Sequence, residues 1–402
     1  MGAPPYVTPY LDALDRLQER TIVRPDQLTN RSRTVLDEHF GTRPNVAEAA
    51  FAHGIAGLLG EHTHYFDGFA VLMPLPLGTA VAARISQEGS CRIIFEGGEE
   101  AWTFGADPSS DTDKPEWVRL SEEILRRLLP DAACVEVAVV STIPSACFDG
   151  YMAALGIATA RVAQSLFALS QTSQEIQRLV CDAIESCTGY PFSIAYLIAA
   201  DEALPREYAL VDTHTLEHLS LETPSRDIVG WGLVDVGMGV LQHESFHTKM
   251  RERAKSAAET LRRKGFPELG SLRDLEHKDL KVALDVLPRK YRPIVRHLVT
   301  ENRRVQKLVA AIQRRDWQMF GALLLMSHSS HQKDWGSTNE LVDAAVHETE
   351  TMSIEGMYGA GITGRGGCVL VAGQPFIVPR CLDRIQVALK ERFNIRPDVT
   401  LL

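Results

Sequence analysis

The sequence predicts an α+β protein in two parts, residues 1–205 and 206–402. Strand-like and helix-like patterns are mixed along it without strict βαβ alternation. Its 402 residues, 45% hydrophobic and 23% charged, suit two substantial cores. A fresh block of strand patterns opens near Glu207 and sets the boundary.

The elements follow in order. Leu11, Leu14 and Leu17 are spaced for one helical face, Pro25 and Asn30 break the pattern, and another short helix follows. Residues 78–85 and 91–95 read as strands, 116–129 as a helix and 135–140 as a buried strand. Helices are expected at 151–169 and 174–187, then strands at 208–212, 216–221 and 232–236. Long helices are expected at 247–264 and 292–313. The glycine-rich run 359–367 leads into a strand at 368–371, and 382–393 closes the chain as a helix. No internal repeat or low-complexity run stands out.

A net charge of -10 argues against a nucleic-acid partner, which needs a basic face. The basic run Arg262-Arg263-Lys264 precedes Gly265, as expected where cations complement the end of a helix dipole. The seven cysteines are scattered in mostly apolar context and read as buried thiols of a reducing compartment. The N-terminus has no signal-peptide pattern, and no run of about 18 apolar residues could span a membrane. A cytoplasmic protein with no membrane partner is expected.

The most specific motif is Gly60-Glu61-His62-Thr63-His64-Tyr65-Phe66-Asp67-Gly68. It resembles the opening signature of galactokinases, members of the GHMP kinase superfamily, which reads G-R-V-N-L-I-G-E-H-T-D-Y and then a glycine. The resemblance runs over most of the chain from Phe40 onward. It implies a two-domain galactokinase-like fold with a ligand cleft between the domains. Glu61 and His62 match sugar-binding positions, whereas the family's next aspartate is replaced by His64. The family's arginine falls on Ile55 and its catalytic aspartate on Ala195, neither of which can act as a base or stabilise charge.

The glycine-rich phosphate loop of the family, P-x-G-x-G-L-S-S-S-A, corresponds to Pro144-Ser145-Ala146-Cys147-Phe148-Asp149-Gly150-Tyr151-Met152-Ala153. Bulk at Phe148 and charge at Asp149 oppose a triphosphate where backbone N–H groups would cradle it, so ATP is not expected. Asp149 and Tyr151 either bring new polar groups to the cleft or fill a collapsed loop. The third signature survives as 359–368, shortened and carrying Arg365, a further substrate contact.

A second sugar-contact position, a tyrosine in the family, falls on His247. The run His243-Glu244-Ser245-Phe246-His247 fits H-E-x-x-H, which on a helix sets two imidazoles on one face with a glutamate as base. His64, His243 and His247 are therefore candidate ligands for Zn, Fe or Mn, with Glu244, Asp149 and Tyr151 as candidate catalytic groups. The alternative is that His243 packs at a junction and His247 hydrogen-bonds a ligand. His328 and His331 form another pair, for which a structural role is expected.

The expected function is accordingly a non-kinase enzyme acting on a sugar or other polyhydroxylated small molecule. Hydrolysis, isomerisation and elimination all stay open. A non-catalytic sugar sensor or pseudokinase is the second reading, and a retained sugar kinase with ATP bound elsewhere the third.

Overall fold

The structure is a computed structural model that describes residues 24–44, 47–104, 114–130, 133–237 and 244–402. The helical pattern at Leu11, Leu14 and Leu17 lies outside the described residues.

A seven-stranded mixed sheet forms the larger layer. Its members are β1 (Glu48–Leu59), β2 (Phe69–Ile85), β3 (Cys91–Phe95), β4 (Trp102–Phe104), β5 (Val135–Ser141), β6 (Glu207–Asp212) and β7 (Glu217–Glu222). The order is β4-β3-β5-β2-β6-β7, with β1 paired antiparallel to β2. Both faces of the central strands β2 and β5 are covered, so these strands read as apolar runs instead of alternating ones. Ala80 and Ala82 point to one side, against Leu28, Val35, Leu36 and Phe40 of α1 (Pro25–Phe40). Val81 and Ala83 point to the other side, into the main core. That core is filled by α2 (Glu116–Leu128), α3 (Phe148–Phe167), α4 (Ser173–Thr188) and α5 (Ile194–Glu202). Strands β6 and β7 lie beyond residue 205 yet pair into this sheet, so the sheet runs past the expected 1–205 and 206–402 division.

A four-stranded antiparallel sheet, ordered β11-β8-β10-β9, forms the second layer. It contains β8 (Gly230–Asp235), β9 (Met357–Thr363), β10 (Cys368–Gly373) and β11 (Asp398–Leu401). Val234, Val369 and Val371 pack on α10 (Glu340–Thr351) and α11 (Val378–Phe393). Leu233, Leu370 and Ala372 join the main core, so the two sheets share packing through one continuous apolar cluster. A third cluster joins α6 (Glu244–Arg263), α7 (Leu280–Val286) and α8 (Arg292–Arg314) to Phe66 and Trp335.

The glycine-rich run, expected only to lead into a strand, is itself mostly strand β9. Its Gly359 lies against Gly321 of α9 (Trp317–Ser330), where an added Cβ would come within 2.2 Å of the Gly321 carbonyl oxygen. The glycines there allow a helix to press directly on a strand. Strand propensity is low in such a run, which is why its sequence reads as irregular.

A buried charge cluster ties the first helix to the larger sheet. Glu136 on β5 is 0% exposed and lies across from Arg84 on β2 and Arg92 on β3. Arg84 Nε donates to Glu136 Oε2 at 2.8 Å, and Arg92 donates to Oε1 at 2.6 Å. Arg84 also donates to Asp37 and to the Gly41 carbonyl, tying α1 to the sheet. Glu136→Ala is expected to destabilise the protein by about 3–5 kcal/mol, because it leaves Arg84 buried without its main partner. Denaturant unfolding checks this; a loss within experimental error would show that the cluster is not structural.

Candidate functional site

The site is built on the loop between β1 and β2. Gly60 has φ +97, and a Cβ there would meet the Phe69 carbonyl oxygen at 2.3 Å. His62 and Asp67 also take left-handed backbone angles, φ 66 and φ 59, on either side of a short 3-10 turn over Thr63–Phe66. Such angles are costly for residues other than glycine and persist where surrounding contacts hold them. Thr63 Oγ1 donates to the Gly60 carbonyl at 2.7 Å and to the Phe69 carbonyl at 2.9 Å.

Glu301, in the middle of α8, anchors this loop. Its Oε1 accepts from the Gly60 N–H at 2.9 Å and from Ser327 Oγ at 2.8 Å. Its Oε2 accepts from Arg304 Nε at 2.7 Å. Burial pushes this carboxyl up, but Arg304 and the hydrogen bonds outweigh it and hold the group below the ordinary glutamate value.

Two more buried carboxyls face the loop from within. Glu61 accepts a short hydrogen bond from the Tyr196 hydroxyl at the start of α5. Its pKa is pushed up to about 8, first by burial and then by the charge of Asp149. Asp149 stands in the first turn of α3, is 4% exposed, and accepts from the Tyr190 hydroxyl at 3.4 Å. Burial raises its pKa to about 6, against the opposing pull of Arg365 and Tyr190. Its Oδ1 has no hydrogen-bond partner among the described residues. The Arg365 guanidinium is 7% exposed for the residue as a whole and lies 3.9 Å from the Tyr190 ring centroid and 4.4 Å from that of Phe148. These contacts place a cation between aromatic faces and beside a carboxylate.

The structure thus gathers Glu61, Asp149 and Arg365 into one cluster and adds Tyr190 and Tyr196, which sequence reasoning did not single out. Both tyrosines look like ordinary core residues in sequence; only their hydroxyls' partners reveal them. Tyr151 is buried in the same helix, and burial raises the pKa of its hydroxyl. Among the described residues no hydrogen bond links it to Glu61, Asp149 or Arg365.

His62 is 2% exposed and stacks on Trp335 at 4.6 Å between centroids, with His247 at 5.2 Å and His331 at 5.5 Å. His297 and His331 are 4.7 Å apart, and each accepts from or donates to a serine hydroxyl at 2.9 Å. Burial holds these rings neutral: it lowers His62 and His331 well below the ordinary histidine value and His64, His247 and His297 to about 3. His328 instead pairs with Asp343 at 3.0 Å on the neighbouring helix.

The expected metal site is not built by these residues. His64 packs on the Tyr65 ring at 4.1 Å, and His247 meets the Tyr190 ring edge-on at 4.7 Å, so the two imidazoles face aromatic surfaces. Among the described residues no group of three His, Cys, Asp or Glu side chains is placed to hold a metal ion. His243 lies outside the described residues, and of Glu244 only its place at the start of α6 is described. Among the described residues, the H-E-x-x-H pattern therefore brings no ligand set together for Zn, Fe or Mn.

Ile55 and Ala195 are 1% and 0% exposed and carry no charge. A Cβ on Gly150 would come within 1.9 Å of the Ile55 carbonyl oxygen, so the first turn of α3 lies directly on β1. Gly364, with φ +63, sits over that turn: a Cβ on it would lie 3.5 Å from the Asp149 nitrogen and 3.7 Å from the Phe148 nitrogen. The Gly364 N–H donates to the Tyr196 hydroxyl at 3.3 Å, and Thr363 Oγ1 accepts from the Gly57 N–H at 2.8 Å. The gap lined by Gly57, Glu61, Ser193 and Tyr196 is too small to admit a water molecule. The 363–367 turn thus closes over the first turn of α3. A separate cavity of about 710 Å³ lies away from the cluster, bordered by His53, Tyr208 and Trp231.

Comparison with known proteins places this geometry. The Galactokinase galactose-binding signature matches residues 36–85. The galactokinase of Roseiflexus sp. (strain RS-1) is 28% identical over 351 residues, 85% of this chain and 87% of its own length. That of Homo sapiens is 26% identical over 379 residues, 90% of this chain and 92% of its own. Among solved structures, Lactococcus lactis galactokinase complexed with galactose superposes with a TM-score of 0.83 at 20% identity, covering 94% of this chain and 97% of that one. The α+β, two-domain galactokinase-like GHMP kinase fold is the fold of this chain.

These likenesses correct two expectations. A scaffold that has lost phosphotransfer, whether as a non-kinase enzyme or as a pseudokinase, is overturned by relatives that are galactokinases over nearly their whole lengths. The expectation that ATP has no role falls with it, since those relatives are kinases. No helix among the described residues is long and apolar enough to cross a membrane.

The two raised carboxyls have a measurable consequence. A folded-state pKa above the unfolded one favours the protonated fold, so the stability Glu61 contributes is complete below its ordinary value of 4.5 and is lost as pH rises through about 8. Asp149 acts in the same direction between 3.8 and about 6. Glu61→Gln is expected to match the native protein at pH near 5 and to exceed it by a few kcal/mol above pH 8, as read from urea midpoints. Equal stability of the two proteins across that range would mean that Glu61 is not held protonated.

Proposed function

We propose that this galactokinase-like member of the GHMP kinase superfamily is an ATP-dependent sugar kinase whose acceptor is galactose or a hexose of similar shape. The observation that carries the reading is the extent of the likeness. Galactokinases match over most of their length, in addition to the signature loop. The substitutions at Ile55 and Ala195 remove two charged groups from their usual places, so the chemistry requires other residues of this chain.

The buried cluster supplies them. Transfer to a hydroxyl needs a group that accepts the hydroxyl proton and a cation that stabilises charge on the moving phosphoryl group. Asp149, with its pKa near 6, is ionised at neutral pH and takes the first role. Glu61, with its pKa near 8, is largely protonated there and can donate a hydrogen bond to the sugar. Environments that push two carboxyls apart in this way divide acid from base. Arg365, beside Asp149, takes the cationic role. His62 and His247, both neutral, offer to sugar hydroxyls ring nitrogens that have no partner among the described residues. The hydroxyl proton passes to Asp149, the sugar oxygen bonds to the terminal phosphorus, and the bond to ADP breaks.

Entry of ATP requires movement. The turn at 363–367 lies over the first N–H groups of α3, where phosphates are best received. Its withdrawal frees those groups and exposes Asp149.

Galactose-dependent ADP release from Mg-ATP by the purified protein tests this reading. Asp149→Asn is expected to lower kcat by about 10²–10⁴ with little change in KM for the sugar. The native kcat/KM should fall as pH drops through about 6, because the base must be unprotonated. No ADP release with galactose or a panel of related hexoses would overturn the reading. Glu61→Ala should raise the KM for the sugar and abolish its thermal stabilisation of the protein; an unchanged shift would place the sugar elsewhere.

A further inference from the structure

The two segments that close the phosphate end are joined at a second point. Cys147 is the residue that caps α3, immediately before Phe148 and Asp149. Cys368 opens β10, immediately after the turn that carries Gly364 and Arg365. They are 221 residues apart in sequence, yet their Sγ atoms lie 2.7 Å apart. At that separation the two sulfurs are in direct contact as free thiols, with no bond between them.

We propose that Cys147 and Cys368 form a reversible disulfide that latches the 363–367 turn onto the first turn of α3 and so shuts the nucleotide end of the site. The regulatory part of this inference rests on the kinase reading above; the cross-link itself does not. Both thiols are buried, at 2% and 0% exposure, while the turn is closed. Burial also raises the Cys368 pKa well above the ordinary thiol value, which keeps the closed pair inert. The movement that admits ATP also separates Gly364 from α3 and opens a path to the sulfurs. The reduced protein can then either take nucleotide or be oxidised on reclosing.

A peroxide is a sufficient oxidant. One thiolate attacks a peroxide oxygen, the O–O bond breaks, and a sulfenic acid and water form. The second thiol then attacks that sulfur, the S–S bond forms, and the sulfenic oxygen leaves as water. Two thiols are oxidised and one hydrogen peroxide is reduced to two waters. A dithiol reagent reverses the step by thiol–disulfide exchange.

The test uses the full reduced chain treated with hydrogen peroxide. Non-reducing peptide mapping should find Cys147 and Cys368 in one cross-linked product, and amide hydrogen exchange across 363–367 should slow. Galactose-dependent ADP release should fall about ten-fold or more, as expected when a gating motion is blocked, and dithiothreitol should restore it. Cys147→Ala should keep its activity through the same treatment. Failure of this pair to cross-link while other cysteines are oxidised would overturn the proposal, as would a cross-linked protein with unchanged exchange and full activity. If the reduced protein releases no ADP, the kinase reading fails, while cross-linking with slowed exchange still supports the latch.

Discussion

Glu301 is a buried carboxylate with no chemical role of its own, and the whole site depends on it. Its two oxygens hold the Gly60 N–H, Ser327 and Arg304. That arrangement joins the β1–β2 loop to α8 and α9. Without it, nothing compensates the buried Gly60 donor, and the left-handed angles at His62 and Asp67 lose part of the frame that holds them. The position of Glu61, and through Tyr196 that of the Gly364 turn, follows from this anchor.

The cluster above that anchor is electrostatically uneven in a useful way. Glu301 is stabilised as an anion by its partners, Asp149 only partly so, and Glu61 hardly at all. The order reflects how near a cation lies to each. Arg304 bonds Glu301 directly, whereas Arg365 acts on Asp149 through space and Glu61 meets neutral donors, the Tyr196 hydroxyl and the Gly364 backbone. A single buried cluster thereby carries an anchored anion, a carboxyl that ionises near neutral pH and one that holds its proton. The neutral histidines around Trp335 complete it without adding charge.

Part of this was legible in the sequence. The signature loop, the α+β class and most helices were, because glycines at fixed places, left-handed positions and apolar periodicity are local properties. Strand β9 was not, because its glycines serve close packing against α9 and leave no strand pattern. Helices α5, α9 and α10 were not singled out; α5 and α9 in particular are apolar on all sides and show little periodicity. Asp149 and Arg365 stood out as departures from a motif. Glu301, Tyr190 and Tyr196 look like ordinary helix or core residues until their distant partners are known. The H-E-x-x-H spacing shows the opposite failure: a pattern was present, but its His247 packs on the Tyr190 ring, and His64, read as its partner, packs on Tyr65. Reading lost kinase residues as lost kinase function was the larger error, since the likeness to galactokinases spans the chain.

The central claim is that phosphotransfer survives the replacement of the usual charged groups by Ile55 and Ala195 because Asp149 and Arg365 do their work. Incubating the protein with galactose and ATP labelled in its terminal phosphate, then identifying products by mass spectrometry, tests this most directly. The account predicts a labelled hexose monophosphate formed by the native protein and almost none from Asp149→Asn. Equal yields from the two proteins, or no labelled sugar from either, would contradict it.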